Sequence, residues 1–350
     1  MRNEVVAISL FSGAGGLDTG ATLAGVKVIS SIDSDHDSIK TLRMNSHFSE
    51  SNIYLTDISN FDTANFLSRL KQEKANGVIV IGGPPCQPFS KNGYWVKNEN
   101  RKAFEDPRNM IQQFFRVISE VKPDGFLLEN VESILHPSNQ AAINYIESTV
   151  SDFGYNYKIF RVNAADFGVP QRRKRVFVVA SRRKLNGAEP IRTHCDTEDK
   201  DILRLLPKHI GVRDFIQKYS GIEHFEKEEV ANHGTYYEYL IKVPPGKNYM
   251  SLIDESTGQP RYRTGQRFWN FLLKLHPEKT SWTIPAQPGP WVGPFHWTNR
   301  RLRVPEIAAI QTFPDGYHFY GNRRSIQKQI GNAVPPLLAK AMVELLIKTL

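Results

Sequence analysis

Apolar residues along the chain fall into short continuous runs that alternate with stretches spaced three or four apart. Residues 5–11 form a β-branched run that stops at Ser12-Gly13-Ala14-Gly15-Gly16, and a helical pattern follows over 17–24. A second run, 26–32, ends at Asp33, and a third, 53–55, leads to Asp57. Further buried strands are predicted for 77–81, 125–128 and 175–180, with helices over 110–121 and 141–153. This alternation predicts an α/β fold built on a mainly parallel sheet. From about Arg182 the period is lost, charged and aromatic residues mix, and turn clusters stand at Pro244-Pro245-Gly246 and across 285–294. Regular pattern returns near Arg301, with helices expected over 304–313 and 335–350, the last rejoining the first domain.

Composition narrows the picture. A chain of 350 residues exceeds what one core usually needs, so two unequal domains are expected. Hydrophobic residues at 40% and charged residues at 23% are ordinary globular values, and no apolar run is read as reaching bilayer length. Only Arg2, Asn3 and Glu4 separate Met1 from the first strand, which leaves no room for a leader and predicts an intracellular protein. Cys86 and Cys195 form no CxxC pair, and His209, His224 and His233 have no metal-ligand spacing. A net charge of +9 and a pI near 9.4 suit a polyanionic partner without requiring one.

Chemistry concentrates where strands end. The glycine turn lets backbone approach a ligand, and the helix behind it offers free N–H groups, although a plain tight turn has the same composition. Asp33 and Asp57 are placed either to take ribose and adenine hydrogen bonds or to cap helices. In Gly82-Gly83-Pro84-Pro85-Cys86-Gln87-Pro88-Phe89-Ser90 prolines stiffen the chain around a cysteine just past a buried strand. A lone cysteine is more often a small core residue, but Glu129 follows the next strand on the same sheet edge. Gln171-Arg172-Arg173-Lys174-Arg175 brings guanidinium groups toward that edge, or forms a solvated basic face.

In these blocks the chain resembles the cytosine-C5 DNA methyltransferases, especially the compact bacterial restriction-modification enzymes. The resemblance rests on their order: Phe11-Ser12-Gly13-Ala14-Gly15-Gly16, Asp33, Asp57, Pro84-Pro85-Cys86-Gln87-Pro88-Phe89-Ser90, Asp106-Pro107-Arg108-Asn109, Glu129-Asn130-Val131 and Gln171 to Arg175. Two late blocks complete it: Arg301-Leu302-Arg303 with Glu306, Gln311, Phe313 and Pro314, then Gln329-Ile330-Gly331-Asn332-Ala333-Val334-Pro335-Pro336.

The resemblance implies a Rossmann-like S-adenosylmethionine-dependent methyltransferase sheet with a second, smaller target-recognition domain. Residues 1–184 would be catalytic and cofactor-binding, 185–300 would recognise the target, and 301–350 would return to the first domain. It assigns S-adenosyl-L-methionine to Phe11, Gly13, Gly15, Leu17, Asp33, Asp57, Ile58, Pro84, Asn332 and Ala333, with S-adenosyl-L-homocysteine as product and no metal. Cys86 would be the nucleophile on carbon 6 and Glu129 the partner of the ring N3 and exocyclic amine. Arg175 would meet O2, with Arg173 orienting the acid or a phosphate. Gln87 and Ser90 would contact double-stranded DNA, with 90–101 as a lid or a solvated loop. Arg261, Arg263 and Arg267, with Tyr262, Trp269 and Lys274, would serve the groove and its phosphates. Implied too are a cytoplasmic bacterial monomer and a cognate restriction endonuclease as functional partner. Ser34 stands where many members carry an aromatic or larger apolar residue, and Asp33 where glutamate is common. Rival readings are a tRNA cytosine-C5 methyltransferase, an inactive sequence-specific DNA-binding protein and, on the glycine turn alone, a nicotinamide oxidoreductase.

Overall fold

A computed structural model describes residues 5–49, 51–73, 75–85, 110–196, 205–231, 234–254, 256–259, 261–262 and 268–350. The first half runs β1 (Val5–Leu10), α1 (Gly16–Leu23), β2 (Lys27–Asp33), α2 (His36–Met44), β3 (Asn52–Leu55), α3 (Ala64–Gln72), β4 (Gly77–Gly82), α4 (Ile111–Val121), β5 (Gly125–Val131), α5 (Gln140–Asp152), β6 (Asn156–Asn163) and β7 (Lys174–Ser181). The later helices are α6 (Arg213–Ile216), α7 (Tyr237–Lys242), α8 (Val304–Ile310), α9 (Arg323–Asn332) and α10 (Pro336–Ile347).

The seven strands form one sheet in the order β3-β2-β1-β4-β5-β7-β6. β1 to β5 are parallel, and β7 runs antiparallel between β5 and β6. Alternation along each strand divides the core between two faces. From β1, Val6, Ile8 and Leu10 join Phe66, Phe114 and Ile146 from α3, α4 and α5. Ala7 points the other way, into a layer with Leu17 of α1 and Leu338 and Met342 of α10. A β-carbon on Gly20 would come within 2.3 Å of the Ala339 β-carbon, so only glycine lets α1 and α10 approach this closely.

The stretch Arg323–Ile347 does have the length and hydropathy of a membrane span, contrary to the reading from sequence. It folds as α9 and α10, which meet at Ala333 to Pro335, and the apolar residues of α10 are buried in the second core face. β6 was not foreseen because it is an edge strand of half-exposed residues, in which polar Lys158 and Arg161 interrupt the apolar run.

Between β7 and α8 the described residues hold little regular structure beyond α6, α7, short 3-10 turns and a two-residue strand, Ser281–Trp282, paired with Gln171–Arg172. One aromatic cluster gathers Tyr249, Leu272 and Phe295 with Tyr236, Tyr262 and Trp291. Another joins Val212, Ile216, Ile307 and Ile330 to Ala14 of the glycine turn.

Candidate active site

The strand order reverses between β1 and β4, and the loops leaving their carboxyl ends flank the crevice where open α/β sheets take ligands. After β1 the backbone turns through left-handed conformations at Phe11 (φ 56°), Gly13 (φ 52°) and Gly15 (φ 81°). Phe11 is held there by its surroundings, since a bulky side chain disfavours positive φ. The Gly13 amide donates to Asp33 Oδ2 at 2.7 Å, and the Asp35 amide donates to Oδ1 at 2.8 Å. Burial raises the Asp33 pKa against the pull of these two amides. A carboxylate accepts about four hydrogen bonds, so Asp33 retains capacity for a diol. A β-carbon on Gly13 would meet nothing within 4 Å, which leaves open space beside that acid. Behind the loop, a β-carbon on Gly16 would strike the Val334 carbonyl at 2.3 Å, so the turn lies directly against the Ala333–Val334 backbone. Tyr317 donates to the Ala14 carbonyl at 2.5 Å. An acid with acceptor capacity to spare, open space beside Gly13 and a turn that tolerates close approach fit a nucleoside-bearing cofactor.

Leu17 is buried in the core layer under this loop, and Asn332 is exposed at the end of α9 beside half-buried Ala333. Asp57 caps the turn Ile58–Asn60, accepting from the Ser59 amide at 2.8 Å and the Ser59 hydroxyl at 2.6 Å, and these bonds lower its pKa. Capping, the plainer of the two readings, is therefore what Asp57 does in this structure. The Ile58 side chain is buried in the first core face.

On the other side of the crevice, β4 ends at Gly82 and passes through half-buried Gly83 to buried Pro84. A β-carbon on Gly83 would lie 3.0 Å from Glu129 Oε2, so this acid lies beside the loop that leads to Cys86. Val131 of β5 pairs with Arg175 of β7, and Glu129 pairs with Phe177, which places Glu129 and Arg175 diagonally on one face. Arg175 Nε is 2.8 Å from Glu129 Oε1. Burial raises the Glu129 pKa, opposed by the charges of Arg175 and Arg173. The guanidinium meets the acid because β7 is antiparallel, which brings its first residues to the edge where the parallel strands end.

Arg173 is placed differently from expectation. It is fully buried, and its Nη2 donates to the Gly331 carbonyl at 2.8 Å and approaches the Asn332 carbonyl at 3.5 Å, rather than bonding to Glu129. Among the described residues its Nε and Nη1 have no partner, and burial pushes its pKa well down. Gln171 was seen only as part of a motif. Its Nε2 donates to Gln311 Oε1 at 2.9 Å, and Gln311 Nε2 donates to the Ile330 carbonyl at 2.6 Å. These buried amides tie the arginine strand to α8 and α9.

Cys86, Gln87, Ser90, Arg263 and Arg267 lie outside the described residues, as do the 90–101 and 106–109 segments. Arg261 stacks over the Tyr239 ring at 4.7 Å and donates to its hydroxyl at 2.9 Å, and Tyr262 packs in the aromatic cluster. Trp269 meets Trp282 edge-on at 5.5 Å, with the Arg172 guanidinium 5.9 Å from the Trp282 ring. Lys274 corrects the sequence reading. It is buried, donates to the Val243 carbonyl at 2.5 Å, and burial lowers its pKa to about 8, so it cannot reach a phosphate.

The family model for C-5 cytosine-specific DNA methylases matches residues 5–348. The chain belongs to that family. It is 36% identical over 372 residues to the type II methyltransferase M.SacI of Streptomyces achromogenes, covering 100% of this chain and 94% of the relative. It is 32% identical to the type II methyltransferase M1.HphI of Haemophilus parahaemolyticus, covering 97% and 86%. Among solved structures, a prophage-encoded E. coli protein superposes with a TM-score of 0.64 at 24% identity over 99% of each chain. The Entamoeba histolytica methyltransferase EhMeth superposes with a TM-score of 0.63 at 15% identity, also over 99% of each chain. This cytosine-C5 DNA methyltransferase is thus of the type II restriction-modification kind, and its family implies S-adenosylmethionine as methyl donor.

Reading the sequence missed Asp18, a fully buried acid in the first turn of α1. It also missed Glu229, which pairs with Arg303 in the second region. Both have the composition of ordinary surface residues, and only the fold buries them.

Proposed function

We propose that this methyltransferase modifies one cytosine of a short duplex sequence after rotating it out of the helix. The observation that carries this is Glu129, a buried acid with a raised pKa, bonded to Arg175 and beside the Gly83-Pro84-Pro85 approach to Cys86. A stacked cytosine hides both ring faces, and extruding it costs about a few kcal/mol. The Cys86 thiolate adds to carbon 6, forming a C–S bond and driving electron density into the ring. Glu129, whose pKa burial raises, in its protonated form gives its proton to N3 and accepts from the exocyclic amine, so that carbon 5 becomes enamine-like. Arg175, held against Glu129, orients O2. S-adenosylmethionine, when bound, supplies an electrophilic methyl group. A base, such as a water, then removes the carbon 5 proton, the C–S bond breaks to release the Cys86 thiolate, and N3 returns its proton to Glu129.

Asp33 takes the ribose hydroxyls, and Gly13, Gly15, Phe11 and Leu17 shape the donor site from below. Asp57, which caps the turn through Oδ1, offers Oδ2 to the adenine with Ile58, Pro84 borders the site, and Asn332 and Ala333 close the methionine end. Arg173 acts through the Gly331 and Asn332 carbonyls, linking the arginine strand to that closing segment. Residues 185–300 form the recognition domain, in which Arg261, Arg263 and Arg267 contact DNA beside Gln87 and Ser90 from the catalytic loop. The protein works as a monomer on intracellular DNA, with a cognate endonuclease cutting the same unmodified site.

The test is covalent trapping. Duplex DNA with 5-fluorocytosine in the methylated position, incubated with the donor, forms a denaturation-resistant adduct with the wild type and none with Cys86→Ala. A wild type that methylates ordinary DNA yet never forms the adduct refutes the covalent route. Bisulfite sequencing of DNA from expressing cells identifies the modified cytosine, and scattered modification refutes recognition of one short sequence.

A further inference from the structure

Asp18 is fully buried in the apolar layer between the sheet and α1, and the chemistry above makes no use of it. Ser9 Oγ donates to its Oδ2 at 2.9 Å, and Ser31 Oγ donates to its Oδ1 at 2.7 Å. Ser12 Oγ is 3.0 Å from Ser9 Oγ and 3.1 Å from the Ser9 carbonyl, and it accepts the Ile32 amide at 3.1 Å. A hydroxyl carries one proton and an ionised carboxylate none, so the ionised acid forces the direction of the chain. Ser9 gives its proton to Asp18, which leaves its oxygen to accept from Ser12. Ser12 stands between Phe11 and Gly13, both at left-handed φ, and the Gly13 amide is the group that binds Asp33.

We propose that Asp18 is a positioning residue for the methyl-donor site, its carboxylate holding the glycine turn in shape through Ser9 and Ser12. This rests on the reading that the turn and Asp33 bind S-adenosylmethionine. A neutral residue here would cost less to bury, so the acid opposes stability while ordering the turn. Burial raises its pKa to about 6. The charged or titratable groups around it are Asp33 at the end of β2, which opposes its ionisation, and Tyr317, bonded to Ala14. On α10, which packs on α1, Lys340 is 3.8 Å from Glu344. Once protonated, Asp18 can donate to Ser9, which reverses the bond between Ser9 and Ser12 and leaves Ser12 to donate to the Ser9 carbonyl alone.

Calorimetric titration of the full chain with S-adenosylhomocysteine tests this without turnover. At pH 8, Ser9→Ala and Asp18→Asn are expected to weaken binding about five- to tenfold, the scale of one buried hydrogen bond, and Ser31→Ala by less than about twofold. Ser31→Ala removes a donor from the same carboxylate but lies off the path to Ser12, so a merely structural acid would make the two serines equivalent. Wild-type affinity falls below pH 6, and the fall is smaller in Asp18→Asn, which keeps only the part due to Asp33. Equal weakening by the two serine variants, or wild-type affinity and pH profile in Asp18→Asn, overturns the proposal. A wild type that binds no S-adenosylhomocysteine at pH 8 refutes the donor-site reading itself, and this proposal with it.

Discussion

The sheet and the region between β7 and α8 are held together by different physics. In the sheet, parallel ladders and the two antiparallel ladders of β7 satisfy the backbone, and two apolar faces close over them. In the second region, where regular structure is sparse, buried charges do the organising. Arg300 bonds to Glu306 through two hydrogen bonds of 2.8 and 2.7 Å, and Glu306 also accepts the Arg303 amide at 2.8 Å. Arg303 Nε donates to Glu229 at 2.5 Å, while its Nη1 reaches the Tyr219 and Gly221 carbonyls. The lesson is one of tolerance: an apolar layer accepts many residues of the right size, whereas a buried ion pair fails when either partner is lost.

The largest expected effect lies where the sheet carries chemistry. Glu129→Ala should lower methyl transfer by about a thousandfold, within the range for a lost general acid, as read by labelled methyl incorporation into DNA. Because burial raises the Glu129 pKa, its active protonated form is lost as pH rises through that value, so kcat should decline on the alkaline side. Glu129→Gln should be slow and should lack that limb. Retained activity in either variant would detach the acid from the reaction.

Breaking the ion network tests the other half of the comparison. Glu306→Ala leaves Arg300 and the Arg303 amide without their acceptor, and should cost about 3–5 kcal/mol in urea unfolding. A loss no greater than that of a surface substitution would show that the aromatic clusters suffice. Gly16→Ala, whose new carbon meets the Val334 carbonyl, should cost about 1–3 kcal/mol by overpacking and weaken S-adenosylhomocysteine binding.

The smallest effect on function is expected at Lys274. Lys274→Met should leave the salt dependence of DNA binding unchanged, whereas removing a lysine on a phosphate would reduce the slope by about 1. The sign of its pH effect follows from a folded pKa of about 8 against an ordinary 10.5. Between those values the unfolded chain binds more protons, so wild-type stability should rise with pH across that window. Lys274→Met should show no such rise, and identical melting profiles would place the lysine in solvent.

Strand-and-loop blocks were legible because a buried parallel strand leaves a continuous apolar run, and glycine, proline and acid residues mark its end. Residues 5–11, 77–81 and 125–128 were legible on that ground, and β1, β4 and β5 lie within two or three residues of them. Lys274 was misread because a lysine among aromatics looks alike on a groove or inside one, and burial cannot be inferred from composition. Asp57 kept two readings for the same reason: an acid after a strand suits a cap and a ligand equally.

The alternation of runs and turns, a local property of neighbouring residues, was enough to determine the α/β class, the strand ends and the order of the chemical blocks. Which groups meet was decided only in three dimensions. Glu129 and Arg175 touch because β7 is antiparallel, Arg173 turns to Gly331 because α9 returns to the sheet, and Asp18 is shielded because α1 lays it against Ser9 of β1 and Ser31 of β2. Each depends on residues far apart in the chain, and only closing those long loops brings them within bonding distance.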